Sequence, residues 1–428
     1  MDTGLSIKPS IEYIKHNLKT TITAEELSSM SGYSLWHFQR LFKNETGVPV
    51  AVYINKRRLD AALSEIRAGR RAIDAALDYG FDTYAGFYKA FIRMYGDSPK
   101  RYLTKKEGLI MYTEKDLRRI LTNWDIPQDL HILDIYVMDG ALLSGNVWSI
   151  GEDYFLKIEN RDSLLKNISI AKALSAQGFG AATPVLTRTG EEYIDGEKTA
   201  VLTRGIKGSP LTKDDRFGDD RYEFGVKYGR SIARLHNALE AIESELKPDE
   251  QDLYTQVIEW ALPESKRINV QYGLGIPDSF FEDYIINFGA ISDKMPRQLI
   301  HRDPNPSNIL FDAGEVSGFI DFDLSHRNYR LFDPCYCATG LLSEWRGVLE
   351  EARHEKWQDI LAGILHGYDK INPLLPEEKQ AVYYVICSIQ MIFMAYCESK
   401  NELKEMAKTN REMTQYLFGC KDWISKIF

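Results

Sequence analysis

In IEYIKHNL (11–18), Ile11, Ile14 and Leu18 recur at helical spacing, so the first periodic stretch reads as an amphipathic helix. The stretch TAEELSSMSGYSLWHFQRLFKNETG continues with polar starts set before apolar faces. Thr23 and Glu26 have the spacing of a capping box, Gly32 permits a tight turn, and Ser34 can cap the next helix. The apolar pattern then repeats. GYSLWHFQRLFKNETGVPVAVY (32–53) matches GFDTYAGFYKAFIRMYGDSPKRY (80–102), with one extra residue in the second copy. Phe38 and Phe87, Phe42 and Phe91, Gly47 and Gly96, Tyr53 and Tyr102 all stand 49 residues apart. Two copies are too few for a solenoid and suit a pair of helical modules joined by one helix, near VAVYINKRRLDAALSEIRAG.

Beyond residue 113 the pattern changes. A helical stretch, YTEKDLRRILTNW, precedes strand-like runs in HILDIYVM, GNVWSI and DYFLKIE, where alternation puts the Lys157 amine on one sheet face. NILF and SGFIDF read as two short strands flanking a turn at DAGEV, a hairpin that brings Asn308 and Asp321 to a common end. The most apolar stretch, AVYYVICSIQMIFMAYC (381–397), is short and punctuated, and reads as a buried helix rather than a membrane span. A chain of 428 residues exceeds one core, so two or three domains are expected. The fold class is multidomain: an all-α head followed by an α+β body.

Composition changes the picture in one respect. With 44% hydrophobic and 27% charged residues the chain reads as ordinary globular protein. MDTGLSIKPS has no apolar run, so no secretory signal is expected, and five cysteines without a CxxC pair suit a reducing, cytoplasmic compartment. Cys335 and Cys337 read as core residues. The net charge of −9 is unevenly spread: residues 1–110 hold 17 Lys and Arg against 12 Asp and Glu, while the remainder carries 36 against 50. A basic head on an acidic body implies two domains with different partners.

Helix, glycine turn, helix is a geometry that can lay its second helix in a major groove. On these residues the segment 7–104 resembles the DNA-binding domain of the AraC-type transcription regulators, and SGYSLWHFQRLFKNETG is especially similar to the stress-response activators. The resemblance implies double-stranded DNA as partner, with two recognition helices in successive major-groove segments about 34 Å apart. It implies that Trp36, Gln39 and Arg40 meet the first groove, and Tyr84, Ala85 and Lys89 the second. Arginine can bond guanine bidentately and glutamine can read adenine. Lys43, Arg57, Arg58 and Arg93 are candidates for phosphate contacts. A solvated face explains an exposed Lys or Arg equally well, and Trp36 has packing as its alternative. Tyr84 and Ala85 depart from the polar residues often found there.

No GxxxxGK[ST] occurs, which excludes a P-loop. LIHRDPNPSNILFDAGEVSGFIDFD (299–323) instead sets His301, Asp303 and Asn308 in an HxDxxxxN pattern, with Asp321 thirteen residues later. Phosphoryl transfer to a hydroxyl needs a carboxylate to take or orient the alcohol proton, hard oxygen ligands for Mg²⁺, and a cation for the phosphates. Asp303 suits the first task, Asn308 and Asp321 the second, and Lys157 the third.

From about residue 113 to 428 the chain resembles the aminoglycoside phosphotransferase (APH) family, whose bilobal fold is protein-kinase-like. VLTRGIKGSPL (201–211) is similar to the family's hinge, and YGRSIARLHNAL (228–239) to the helix before its substrate-binding insertion. The resemblance implies ATP or GTP with Mg²⁺, Lys157 on the phosphates, and the backbone of Thr203, Arg204 and Gly205 at the base. It further implies that His301 braces the catalytic loop, that Asp323 assists as a supporting or second-metal group, and that Asp333 is structural.

Two residues depart from the family. Asn167 stands where the glutamate partner of the lysine is expected, with Asp162 or Glu159 as substitutes. Arg302 stands where many relatives have glycine. The expected domains are a DNA-binding head (1–110), a lobe with a β-sheet (111–206) and a mainly helical lobe with the catalytic loop (207–428). The expected function is a regulator whose kinase domain phosphorylates a small hydroxyl compound, which the acidic body favours as cationic. The alternatives are a non-catalytic nucleotide or ligand sensor, and a kinase that the head merely tethers.

Overall fold

In the computed structural model the described residues are 7–46, 48–67, 70–81, 83–95, 112, 114–134, 146–246, 248–343, 350–400 and 403–428. Gly47, Gly96 and Tyr102 of the repeat lie outside them, as does the end of the HILDIYVM run. The chain forms two compact units, Met1–Glu159 with Val185–Thr203, and Asn160–Pro184 with Arg204–Phe428.

The first unit opens with helices α1 (Lys8–His16), α2 (Ala24–Met30), α3 (Leu35–Thr46) and α4 (Val50–Arg67). Thr23 caps α2 by accepting the Glu26 N–H at 3.1 Å, and Gly32 makes the turn at φ 71°. Ile11, Ile14, Leu27, Phe38, Phe42 and Tyr53 form one small core. Helices α5 (Ala72–Asp78) and α6 (Tyr84–Tyr95) repeat the pattern on the far half of α4, where Leu59, Leu63, Phe87 and Phe91 form a second core. The paired phenylalanines of the 49-residue repeat are all fully buried. Each module thus uses the same two rings to seat its second helix.

Arg58 staples the modules together. It donates to the carbonyls of Leu18 (3.0 Å) and Thr20 (2.6 Å), and its guanidinium lies 3.0 Å from where a Cβ on Gly80 would sit. Arg57 lies 3.5 Å from Glu114. Both are candidates for DNA phosphate contacts, and both also make contacts inside the protein. An arginine on an amphipathic helix looks solvated until its acceptors, distant in sequence, are brought beside it.

The same unit holds α7 (Glu114–Leu121) and a sheet of β1 (Ile132–Asp134), β2 (Val147–Ile150), β3 (Tyr154–Glu159) and β4 (Thr199–Arg204) in that order. β2 and β3 are antiparallel with Val147 opposite Lys157. Leu156 and Ile158 point into a core with Leu117, Leu121, Trp124, Trp148 and Leu202, leaving Lys157 on the opposite face. Lys15 of α1, largely buried, sits 2.8 Å from Glu12 and 3.8 Å from Glu114 of α7, while His131 reaches Glu12 at 3.1 Å. These ion pairs join the helical head to the elements around the sheet.

In the second unit, helix α8 (Arg161–Ala176) packs Ile170 and Leu174 into a large core with the helices Arg221–Leu246, Phe332–Ser343, Glu350–Ile371 and Pro376–Glu398. One division between the units falls between Thr203 and Arg204, and residues 160–184 group with the helical unit. The Pro376–Glu398 helix is long and apolar enough to cross a membrane, yet 78% of its apolar window is buried in this core. Two antiparallel ribbons carry the loops of interest: β5 (Arg297–Ile300) with β8 (His326–Tyr329), and β6 (Ile309–Asp312) with β7 (Glu315–Phe319).

Candidate functional site

β5 leads into a loop, 301–308, held from below by Asp333. This fully buried carboxylate accepts the N–H groups of His301 (2.8 Å) and Arg302 (3.0 Å) and lies 2.9 Å from His236 Nε2. His236 Nδ1 in turn lies 2.7 Å from the Tyr368 hydroxyl. Burial works against ionising Asp333, but His236 and the loop N–H groups outweigh it and hold its pKa below the usual range. Arg302 adopts φ 73°, the left-handed region that glycine fills without strain. That conformation gives a reason for glycine at this position in many relatives. Here the arginine side chain covers the Phe332 ring at 3.7 Å.

The buried His301 ring spans the loop and the neighbouring hairpin. Its Nδ1 accepts the Asp303 N–H at 3.3 Å, and its Nε2 lies 3.1 Å from the Ile320 carbonyl. Asn308 donates from Nδ2 to the Asp303 carbonyl (3.0 Å) and carboxylate (3.2 Å), which leaves its amide oxygen as a hard donor. Burial raises the Asp303 pKa, and the charges of Asp321 and Asp333 add to the rise, against the Tyr336 hydroxyl and His301, which lower it.

Asp321 is exposed just beyond β7 at φ 68°, and Ile320 donates to the Asn308 carbonyl at 3.0 Å. The pairing of Ile309 with Phe319 places Asn308 and Asp321 at the same end of the hairpin, as the apolar pattern predicts. One amide oxygen and one carboxylate fit an ion such as Mg²⁺, which completes its shell with water and phosphate oxygens rather than an all-protein cage.

Lys157 is on β3 of the first unit, 3.4 Å from Glu159 two residues along the same face. Thr203 closes that unit with its hydroxyl 3.4 Å from the Phe155 carbonyl, while Arg204 opens the second and its N–H meets the Thr183 carbonyl at 3.2 Å. Gly205 follows as irregular backbone. Asp323 is engaged by α8: Asn167 donates to its carboxylate and accepts the Phe322 N–H at 3.0 Å, and Ser163 Oγ lies 3.4 Å away. Tyr336, His236 and Tyr368 escaped notice in the sequence. Tyr336 lies one helical turn after Asp333, the one signal that could have found it.

On the head, Trp36 is 67% exposed, with the Arg40 guanidinium 4.9 Å over its ring. Packing in the core is thereby excluded for Trp36. Gln39, Arg40 and Lys43 share its exposed side. On α6, Tyr84 and Lys89 are exposed; the Ala85 and Arg93 side chains lie outside the described residues. The 49-residue register makes Tyr88, 38% exposed, the counterpart of Gln39, a position the sequence reading passed over. Arg40→Ala is expected to cost about 1–3 kcal/mol of binding to a preferred DNA site and to leave nucleotide binding intact. Fluorescence anisotropy on specific and random duplexes measures it, and an equal loss on both would reduce Arg40 to a phosphate contact.

Comparison with known proteins agrees with both halves. A helix-turn-helix domain profile matches residues 27–105, and the phosphotransferase enzyme family matches residues 142–374. The transposon Tn10 TetD protein of Escherichia coli is 38% identical over 101 residues, 23% of this chain and 73% of its own. The transcriptional activator AarP of Providencia stuartii is 34% identical over 103 residues, 24% of this chain and 76% of its own. Among solved structures, amicoumacin kinase hAmiN in complex with AMP-PNP, Ca²⁺ and Ami superimposes with a TM-score of 0.52 at 16% identity, covering 72% of this chain and 94% of that one, a likeness of fold. The chain belongs to the phosphotransferase enzyme (APH) family and carries, ahead of that domain, an AraC-type helix-turn-helix DNA-binding domain.

Proposed function

We propose that this chain is a DNA-binding transcription regulator whose C-terminal domain transfers the γ-phosphoryl group of ATP or GTP to a hydroxyl of a small, cationic molecule. The observation that carries the reading is Asp303, a carboxylate of raised pKa fixed by Asn308 and Tyr336 beside the hard donors Asn308 and Asp321. In this reading Asp303 takes the alcohol proton, Asn308 and Asp321 hold Mg²⁺, Lys157 meets the phosphates, and the Thr203–Gly205 backbone receives the base. The metal, when bound, neutralises phosphate charge. His301 and Asp333 keep the loop in shape. The segment 248–296 carries nine Asp and Glu against three Lys and Arg, which favours a cationic acceptor such as an amino-alcohol or aminoglycoside. On the head, Trp36, Gln39 and Arg40 read one groove and Tyr84, Ala85 and Lys89 the next.

A sensor that binds nucleotide without transfer is favoured by one feature, the Asn167 that stands where the glutamate partner of the lysine is expected, although Glu159, 3.4 Å from Lys157, is one of its possible substitutes. Calorimetric titration of Mg-ATP into the whole protein beside its Asp321→Asn variant tests the site. The expected result is binding that weakens at least about tenfold in the variant. Binding indifferent to Asp321 would remove the proposed metal site. Binding without transfer to any hydroxyl acceptor would leave the sensor.

A further inference from the structure

Asn167 was conspicuous in the sequence as the residue in the place of an expected glutamate, and the phosphotransferase reading gives it no task. Its amide makes two bonds of opposite sense to consecutive residues of one loop. Oδ1 accepts the Phe322 N–H at 3.0 Å, and Nδ2 donates to the Asp323 carboxylate. Two further bonds tie the same helix to this loop: Lys166 donates to the Ser325 carbonyl, and Ser163 Oγ lies 3.4 Å from Asp323. Burial lowers the Lys166 pKa while Asp323 and Asp249 oppose the fall. Phe322 itself is buried, with its ring tilted against the His301 ring at 4.5 Å between centroids, so the anchored segment also touches the catalytic loop.

An amide satisfies both partners at once, where a carboxylate cannot. A glutamate or aspartate at 167 can accept from Phe322 but places a second negative charge against Asp323, with no proton to donate. The loop needs such an anchor, because Asp321 is exposed and holds φ 68°, a conformation costly for a residue with a Cβ. We propose that Asn167 is a positioning residue for the metal-binding loop: it clamps Phe322 and Asp323 so that Asp321 keeps its strained, metal-ready backbone. Asp323 is then an anchor point for α8 rather than a ligand. The proposal rests on the phosphotransferase reading of Asp321.

The test is a reciprocal exchange, read by the Mg²⁺ concentration that half-saturates tight binding of a fluorescent ATP analogue. The whole protein is used as wild type, Asn167→Asp, Asp323→Asn and the double variant. Asn167→Asp is expected to raise that midpoint by about tenfold, the range typical for groups that orient a metal ligand, while binding in EDTA stays unchanged. The double variant restores an amide facing a carboxylate and is expected to return to within about threefold of wild type. An unshifted midpoint in Asn167→Asp overturns the proposal, and so does a double variant no better than Asp323→Asn, which would make Asp323 a ligand. Should Asn167→Asp fail to fold, Asn167→Ala removes both bonds without adding charge and must show the same shift. A wild-type protein without Mg²⁺-dependent nucleotide binding would instead defeat the phosphotransferase reading itself.

Discussion

Asp303→Asn is expected to lower the rate of phosphoryl transfer by about 10²–10⁴-fold and to leave Mg-ATP affinity unchanged. That range is what a positioned general base typically contributes. The substitution keeps the shape that Asn308 and Tyr336 grip but removes the acceptor for the alcohol proton. A separate readout comes from stability. The raised pKa of Asp303, caused first by burial and then by Asp321 and Asp333, means that the folded protein holds this proton more tightly than the unfolded chain does. Its contribution to stability is therefore complete below the ordinary carboxylate range and is lost as pH rises through the raised value. At neutral pH the ionised group is a cost, and Asp303→Asn removes it. The variant is expected to melt above wild type at about pH 7 and together with it below about pH 3.5. Transfer at the wild-type rate would refute the base assignment, and a variant less stable at neutral pH would refute the electrostatic account of the loop.

How much of this was legible beforehand depended on whether the signal was local. The two helix-turn-helix modules were, because Phe38, Phe42, Phe87 and Phe91 stamp the same buried spacing twice. So was the hairpin that carries Asn308 and Asp321, since alternation and a glycine turn fix its register within a dozen residues. The placing of Asp303 and Asn308 together followed from the motif. What sequence could not give were bonds between segments far apart. Asn167 meets Phe322 across 155 residues, so it registered only as a missing glutamate. The internal partners of Arg57 and Arg58 were hidden for the same reason: Glu114 and the Leu18 and Thr20 carbonyls are remote along the chain. The allegiance of α8 to the helical unit was hidden too. Its apolar stripe says that it is buried on one side, not against which core.

The second large effect is expected at Gly229, where replacement by alanine should cost about 3 kcal/mol or more of the stability of the helical unit. Helices Arg221–Leu246 and Glu350–Ile371 cross with backbone against backbone. A Cβ on Gly225 would lie 2.6 Å from the Ile360 carbonyl oxygen, and one on Gly229 would run into the Ile364 carbonyl and come within 2.8 Å of the Tyr368 nitrogen. The obstacles are main-chain atoms of a packed helix, which cannot swing aside as a side chain can, so the helices must separate. Overpacking of this kind costs about 1–3 kcal/mol where side chains can adjust, and more where the backbone has to move. Against a typical total of about 5–15 kcal/mol, that is a large fraction. The damage would also reach the site. Tyr368 holds His236 at 2.7 Å, and His236 sits 2.9 Å from the Asp333 that anchors the loop of Asp303, so parting the helices loosens that chain of contacts. Urea unfolding should show a lower midpoint for Gly229→Ala, with weaker transfer even at temperatures where the protein stays folded. Gly419→Ala is the control: its φ of −78° is open to any residue and its Cβ would meet the Tyr416 carbonyl at an ordinary 3.5 Å, so a change within about 0.5 kcal/mol is expected. If Gly229→Ala unfolds at the same midpoint as this control, the close crossing is not what holds the helical unit together, and the support it lends to Asp333 falls with it.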